Sequence, residues 1–175
     1  MRMPTRILGV DPGLRLMGWG VVEADGPRLG WVAHGVVAPD PKQSLAERLA
    51  HLSAELAAIV ASHRPDVAAV EETFVNINPK STLLLGQARG AALACLAGQG
   101  LPVAEFATRR IKQAVVGTGS ADKDQIAFMV RRLLPKAGEV KADAADALAT
   151  AICCAHFGAA DKRGQKLGQK LGLAG

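Results

Sequence analysis

Four carboxylates stand where a nuclease that works through metal ions would need them. Asp11 ends the apolar run Ile7-Leu8-Gly9-Val10, and Glu71 ends a second one, Val67-Ala68-Ala69-Val70. Asp143 and Asp146 open an alanine-rich stretch, Ala142-Asp143-Ala144-Ala145-Asp146-Ala147, where i, i+3 spacing puts both on one helix face. An acid closing a buried strand is penalised unless something neutralises its charge. Hard divalent ions such as Mg²⁺ take oxygen ligands and keep waters or substrate phosphates in the rest of their shell. Two such ions roughly 3.5–4 Å apart can clamp the attacking and leaving oxygens of a phosphodiester in line. Acids from two strand ends and one helix turn suit that chemistry.

Each acid also has an ordinary reading. Asp11 precedes Pro12-Gly13 and could be a turn residue. Glu71 could pair with an arginine. Asp143 could cap a helix start, and Asp146 could gain from the helix dipole in the first turn. Asp11-Pro12-Gly13, with Gly18 and Gly20, also resembles the first phosphate loop of the actin and sugar-kinase superfamily. That family needs a duplicated domain, for which 175 residues are too few, and the chain carries no second copy of the loop. The four acids in this order favour the metal-nuclease reading.

The elements that must position these acids can be read from periodicity. Residues 6–11 form a buried strand, and 17–24 and 29–38 two more, joined by the Asp25-Gly26-Pro27 turn. Residues 43–63 have helical spacing (Leu45, Leu49, Leu52, Leu56, Ile59, Val60) that stops before Pro65. The strand ending at Glu71 follows, then the loop Thr73–Lys80, a helix over 81–98 and a short strand over 103–106. Helices over 108–116, 123–134 and 142–157 complete the pattern. The fold class is therefore α/β, with a mixed five-stranded sheet and helices on both faces. The long helix before the fourth strand returns the chain parallel to the first. Asp11 and Glu71 then emerge side by side at the carboxyl edge of the sheet, where open α/β folds bind ligands.

The length suits one domain, placed at 1–157. Residues 158–175 contain the repeat Gly-Gln-Lys-Leu-Gly-Gln-Lys-Leu-Gly and read as a flexible basic tail. No apolar run approaches the ~20 residues that span a bilayer, and MRMPTRILGVDPG lacks a signal peptide's apolar stretch. A cytoplasmic protein with no membrane partner is expected. Cys95, Cys153 and Cys154 lack zinc-type spacing and read as buried thiols. Residues 1–87 carry 8 Lys/Arg against 9 Asp/Glu, and residues 88–175 carry 13 against 7. The basic second half suits a polyanionic partner.

Five segments, GVDPGLRLMGWGVV, AAVEETFVNINPKS, LGQARGAALA, RRIKQAVVGTGSADKDQ and KADAADALATAI, closely resemble the RuvC Holliday-junction resolvases of bacteria, from about Ile7 to His156. The resemblance implies a ribonuclease H-like fold and a homodimer that nicks two strands of like polarity across a four-way DNA junction. It implies Mg²⁺ as cofactor, two ions per active site, with Mn²⁺ as a substitute. The family's metal-binding acids fall on Asp11, Glu71, Asp143 and Asp146; some members carry His at the position of Asp143. Asp11, on the central strand, is the expected bridging ligand. The resemblance further implies a preferred short cutting sequence and cooperation with the RuvA–RuvB branch-migration machine in recombination and repair.

Other residues gain meaning beside it. Phe74 lies three positions past the acidic strand end and is expected to stack on bases at the junction crossover, a contact of roughly 1–3 kcal/mol. Lys112 and Lys123 flank the Gly117–Ser120 loop; in the family, matching lysines lie near the cut phosphate. Arg89 and the pair Arg109-Arg110 are further phosphate-contact candidates, with solvated surface charge as the alternative. Ile77 and Leu84 depart from the family, where many members carry a basic residue, which bears on junction affinity. Gly86, Gly90 and Ala94 form a smooth i, i+4, i+8 stripe, suited either to a dimer partner or to the molecule's own sheet.

Overall fold

A computed structural model of the chain describes residues 3–72 and 77–171, with side chains described as far as residue 157. Eleven residues into the chain, the first strand already delivers Asp11. This strand, β1 (Thr5–Asp11), is followed by β2 (Met17–Asp25), β3 (Arg28–Val37), helix α1 (Leu45–His63) and β4 (Val67–Glu71). Then come α2 (Pro79–Gly98), β5 (Val103–Phe106), α3 (Thr108–Val116), α4 (Lys123–Leu133), a single 3₁₀ turn at Pro135–Ala137 and α5 (Ala142–Leu171). The sheet order is β3-β2-β1-β4-β5. β1, β2 and β3 pair antiparallel as a meander, while β4 runs parallel to both β1 and β5. This is the mixed five-stranded sheet read from the sequence, with its central strand ending at Asp11.

Both faces of the sheet are covered, which is why β1 reads as an unbroken apolar run rather than an alternating one. Ile7 joins a core with α3, α4 and α5, whereas Leu8 and Val10 join another with α1 and α2. The parallel pairing of β4 to β1 starts from a two-way latch: Arg6 N–H donates to Asp66 Oδ2 at 2.7 Å, and Asp66 N–H donates to the Arg6 carbonyl at 2.8 Å. Glu47 and Ser44 form a capping box that starts α1, and Arg64 ends it in the left-handed conformation at φ 46°.

Four helix bounds differ from the sequence expectation. α1 begins at Leu45 rather than 43, and α4 ends at Leu133 rather than 134. α2 begins at Pro79 rather than 81, because the Asn78 side chain accepts from the N–H groups of Lys80 and Ser81 while Pro79 takes the first position. The backbone of α5 runs to Leu171, beyond the end at 157 suggested by its apolar pattern.

Glycines decide how closely α5 lies on the sheet. A Cβ at Gly9 would collide with the Ala147 carbonyl, and one at Gly18 with the Asp143 carbonyl. At Gly20 it would reach within 2.6 Å of Leu148 Cγ. Gly18 and Gly20 thus lie within a strand and make room for a helix. That packing accounts for the two glycines that resembled part of a phosphate loop. No helix among the described residues is long and apolar enough to cross a membrane.

Candidate active site

The pairing of β1 with β4 matches Val10 to Val70, so the next residue on each strand, Asp11 and Glu71, projects from the same edge. α5 crosses this edge at its first turn. A cleft of about 320 Å³ opens there, lined by Asp11, Glu71, Glu72, Asp146, Thr108, Lys112 and Lys123 among others. Asp143 stands one turn away on α5, close enough to act electrostatically on both Asp11 and Asp146, though not on the cleft wall.

Burial and mutual repulsion shape the site's charge. Asp11 is pushed up to about 8, first by burial and then by Glu71, Asp146 and Asp143, with Lys123 opposing. Burial also raises Glu71, against a hydrogen bond from Thr108 that favours its charged form. Asp146 is raised by burial and by Asp143, with Lys123 as the main opposing influence. Lys123 Nζ lies 3.7 Å from Asp146 Oδ2, and with its side chain 83% exposed it can reach a ligand in the cleft.

Among the described residues, no three acidic, histidine or cysteine side chains are drawn close enough together to make a ready-made metal cage. Carboxylates repel, and in a partly buried cleft nothing draws them together except a cation. The donor set is nonetheless all oxygen, offers no thiolate or imidazole, and carries more negative charge than its two lysines offset. Those properties fit a hard divalent cation.

Thr108 and Glu72 were not singled out by the sequence, yet both line the cleft. Thr108 Oγ1 donates to Glu71 Oε1 at 2.6 Å. No local signal marks Thr108 for this, since its partner is 37 residues away. Arg89 is engaged internally. Its Nε donates to the Glu71 carbonyl at 3.1 Å, and its guanidinium pairs with the Glu105 carboxylate. A guanidinium with two partners and a 19% exposed side chain favours an internal role over the phosphate contact expected from sequence. Arg110 is exposed, with its guanidinium 4.2 Å from the Phe157 ring centroid, and Arg109 lies over Gly119.

Phe74 falls outside the described residues. Ile77 is fully exposed, while Leu84 is half-buried against the core shared with α1. The α2 stripe faces outward: added Cβ atoms at Gly86 and Gly90 would meet nothing within 4 Å, and the helix instead buries Ala88, Ala92 and Leu96.

A family model described as crossover junction endodeoxyribonuclease RuvC matches residues 7–154. The chain belongs to the RuvC family. The RuvC protein of Hyphomonas neptunium is 62% identical over 156 residues, covering 89% of this chain and 93% of that protein. That of Caulobacter vibrioides is 57% identical over 162 residues, covering 93% and 96%. The solved structure of Thermus thermophilus RuvC in complex with Holliday junction substrate superposes with a TM-score of 0.82 at 32% identity, covering 90% of this chain and 95% of that one. The RuvC match thus spans the sheet, the cleft and all four acids, and it carries the ribonuclease H-like fold expected from sequence.

Proposed function

We propose that this chain resolves four-way DNA junctions as a structure-selective endonuclease. It introduces paired nicks into strands of like polarity during homologous recombination and repair, leaving 5′-phosphate and 3′-hydroxyl ends. The observation that carries this reading is the juxtaposition of Asp11 and Glu71 at the ends of adjacent parallel strands, with Asp146 on the same cleft. Family membership supports it, as does the junction substrate bound to the Thermus relative.

Asp11, Glu71 and Asp146 would hold Mg²⁺, two ions per site, with Asp143 completing the set; Mn²⁺ would substitute. Bound there, the metal supplies Lewis acidity, stabilising charge on the phosphate and lowering the pKa of water. The residues of the chain do the rest. Asp11, on the central strand, would be the principal ligand. Lys112 and Lys123 line the cleft and offset charge that develops on the cut phosphate. Phe74, in the segment after Glu71, is assigned to stacking at the crossover.

The working unit is a homodimer, in which a two-fold enzyme meets a two-fold substrate. The outward stripe of Gly86, Gly90 and Ala94 on α2, with Leu83 exposed nearby, supports that assignment. Residues 1–157 make up the nuclease domain and 158–175 a basic extension. The enzyme acts in the cytoplasm with a RuvA–RuvB branch-migration complex.

The test is a gel assay of a synthetic mobile junction with Mg²⁺, mapping both nicks to the nucleotide. Symmetric nicks by wild type, absent in Asp11→Asn and Glu71→Gln, are expected. Equal cleavage by those variants would overturn the reading.

A further inference from the structure

Glu71 is held at two points that nothing in its own strand supplies. Its backbone carbonyl, on the last residue of β4, accepts from Arg89 Nε, and Arg89 is fixed in turn by Glu105 on β5. Among the described residues, its carboxylate is held at Oε1 by the Thr108 hydroxyl, at 2.6 Å. That length suits a charge-assisted O–H···O⁻ bond, stronger than a neutral one. Donation from Thr108 to Oε1 restrains rotation of the carboxylate, and among the described residues no hydrogen bond engages Oε2.

Helix α3 adds an independent observation. Its N-cap position is Ala107, which makes no side-chain capping bond, while Thr108 follows at the first helical residue. Threonine at the cap would satisfy an orphan backbone N–H and stabilise the helix by about 1 kcal/mol. Here the hydroxyl sits one residue late for capping and is turned to Glu71 instead. A local rule broken beside a functional site is commonly a sign that the site sets the residue.

We propose that Thr108 is a positioning residue for Glu71: its hydroxyl anchors Oε1 so that Oε2 is presented to a divalent cation, while Arg89 anchors the backbone beneath. This deepens the reading of Glu71 as a metal-holding residue and rests on it. Partners of metal ligands fix orientation, and their loss weakens metal binding by about 10- to 100-fold. The role does not require Thr108 to touch DNA or the reacting phosphate.

The test compares Thr108→Val, which keeps the branched shape without the hydroxyl, with Thr108→Ser, which keeps the hydroxyl. Mn²⁺ binding to the full-length, DNA-free protein is measured by electron paramagnetic resonance, with melting temperatures alongside. Thr108→Val is expected to bind Mn²⁺ about tenfold more weakly and to need correspondingly more Mg²⁺ for half-maximal junction cleavage, the loss being recovered at excess metal. Thr108→Ser restores both. Wild-type Mn²⁺ binding by Thr108→Val, or a serine variant as weak as the valine one, would overturn the assignment. Thr108→Ala carries the same expectations should the valine variant not fold. Glu71→Gln in the same titration separates the two claims. Undiminished Mn²⁺ binding there removes the metal-holding reading of Glu71. Weakened binding there beside a normal Thr108→Val removes Thr108 alone.

Discussion

Gly18 lies directly beneath the backbone carbonyl of Asp143, with no room between them for a side chain. Gly18 pairs with Asp11 across β1 and β2, so the contact sets the first turn of α5 against the strand end carrying Asp11. The acids of α5 reach the cleft because a strand residue lacks a Cβ.

Gly18→Ala should therefore push the start of α5 off the sheet. Overpacking of this kind costs about 1–3 kcal/mol, but the larger effect falls on catalysis, since a shift of about 1 Å can cost about 100-fold in rate. Junction cleavage and thermal melting measured together check this. Gly30→Ala is the control, because its Cβ would meet only Glu23 at 3.9 Å. Equal behaviour of the two variants would contradict the account.

Asp11 makes the metal-free protein sensitive to pH. Its carboxyl ionises near 3.8 when unperturbed and at about 8 in the fold. Between those values the folded chain keeps a proton that the unfolded chain has released, so stability falls as pH rises through that window. Asp11→Asn should match wild type near pH 4 and exceed it near pH 8, by a difference on the order of a few kcal/mol. Urea unfolding with a chelator present, at both pH values, provides the measurement. Added Mg²⁺ should restore wild-type stability at the higher pH, because a ligand bound only by the folded state stabilises it. A flat difference across pH would mean the Asp11 charge is not penalised.

Lys123 should matter far more to activity than to stability. Its ammonium is exposed and 3.7 Å from Asp146, and such surface pairs contribute about 0–1 kcal/mol. Lys123→Met is expected to leave the melting temperature nearly unchanged while lowering the single-turnover cleavage rate by about 100-fold, as expected for loss of a charge-stabilising group. A cleavage rate near wild type would remove it from the mechanism.

Junction binding and junction cutting should separate. Basic contacts to phosphate supply most of the affinity, with a strong salt dependence. Asp11→Asn and Glu71→Gln should bind a junction at least as tightly as wild type in gel-shift titrations without metal, and lose affinity with salt along the same slope. Binding lost together with cleavage would recast these acids as structural.

The thiols should be slow to react. Cys153 is buried in α5 and its thiol is pushed up to about 12, mainly by burial. Cys95 Sγ donates to the Ser53 carbonyl at 3.3 Å. Ellman's reagent is expected to label Cys153 only after unfolding, since the thiolate is the reactive form. Immediate labelling of Cys153 in the native protein would be inconsistent with its packing.

Much of the architecture can be read without coordinates, because hydrophobic periodicity is a local property that the chain carries with it. The runs ending at Asp11 and Glu71, the helical spacing of Leu45–Val60 and the i, i+3 pair Asp143 and Asp146 each follow from residues within a few turns of one another. The parallel placement of β1 beside β4 follows from one crossover helix, and it brings Asp11 and Glu71 to one edge. The start of α2 differs: Asn78 caps the helix and Pro79 opens it, two residues before the start expected from the apolar pattern.

Side-chain partnership is different, because it depends on distances between segments that sequence spacing does not encode. Only the folded chain turns Arg89 inward to Glu105 and the Glu71 carbonyl, brings Thr108 to the Glu71 carboxylate, and leaves Asp143 beside the cleft rather than on its wall. The types and order of the acids were determined by the sequence alone. Their charge state and support were decided by tertiary packing, since burial and neighbouring charge exist only once distant segments meet.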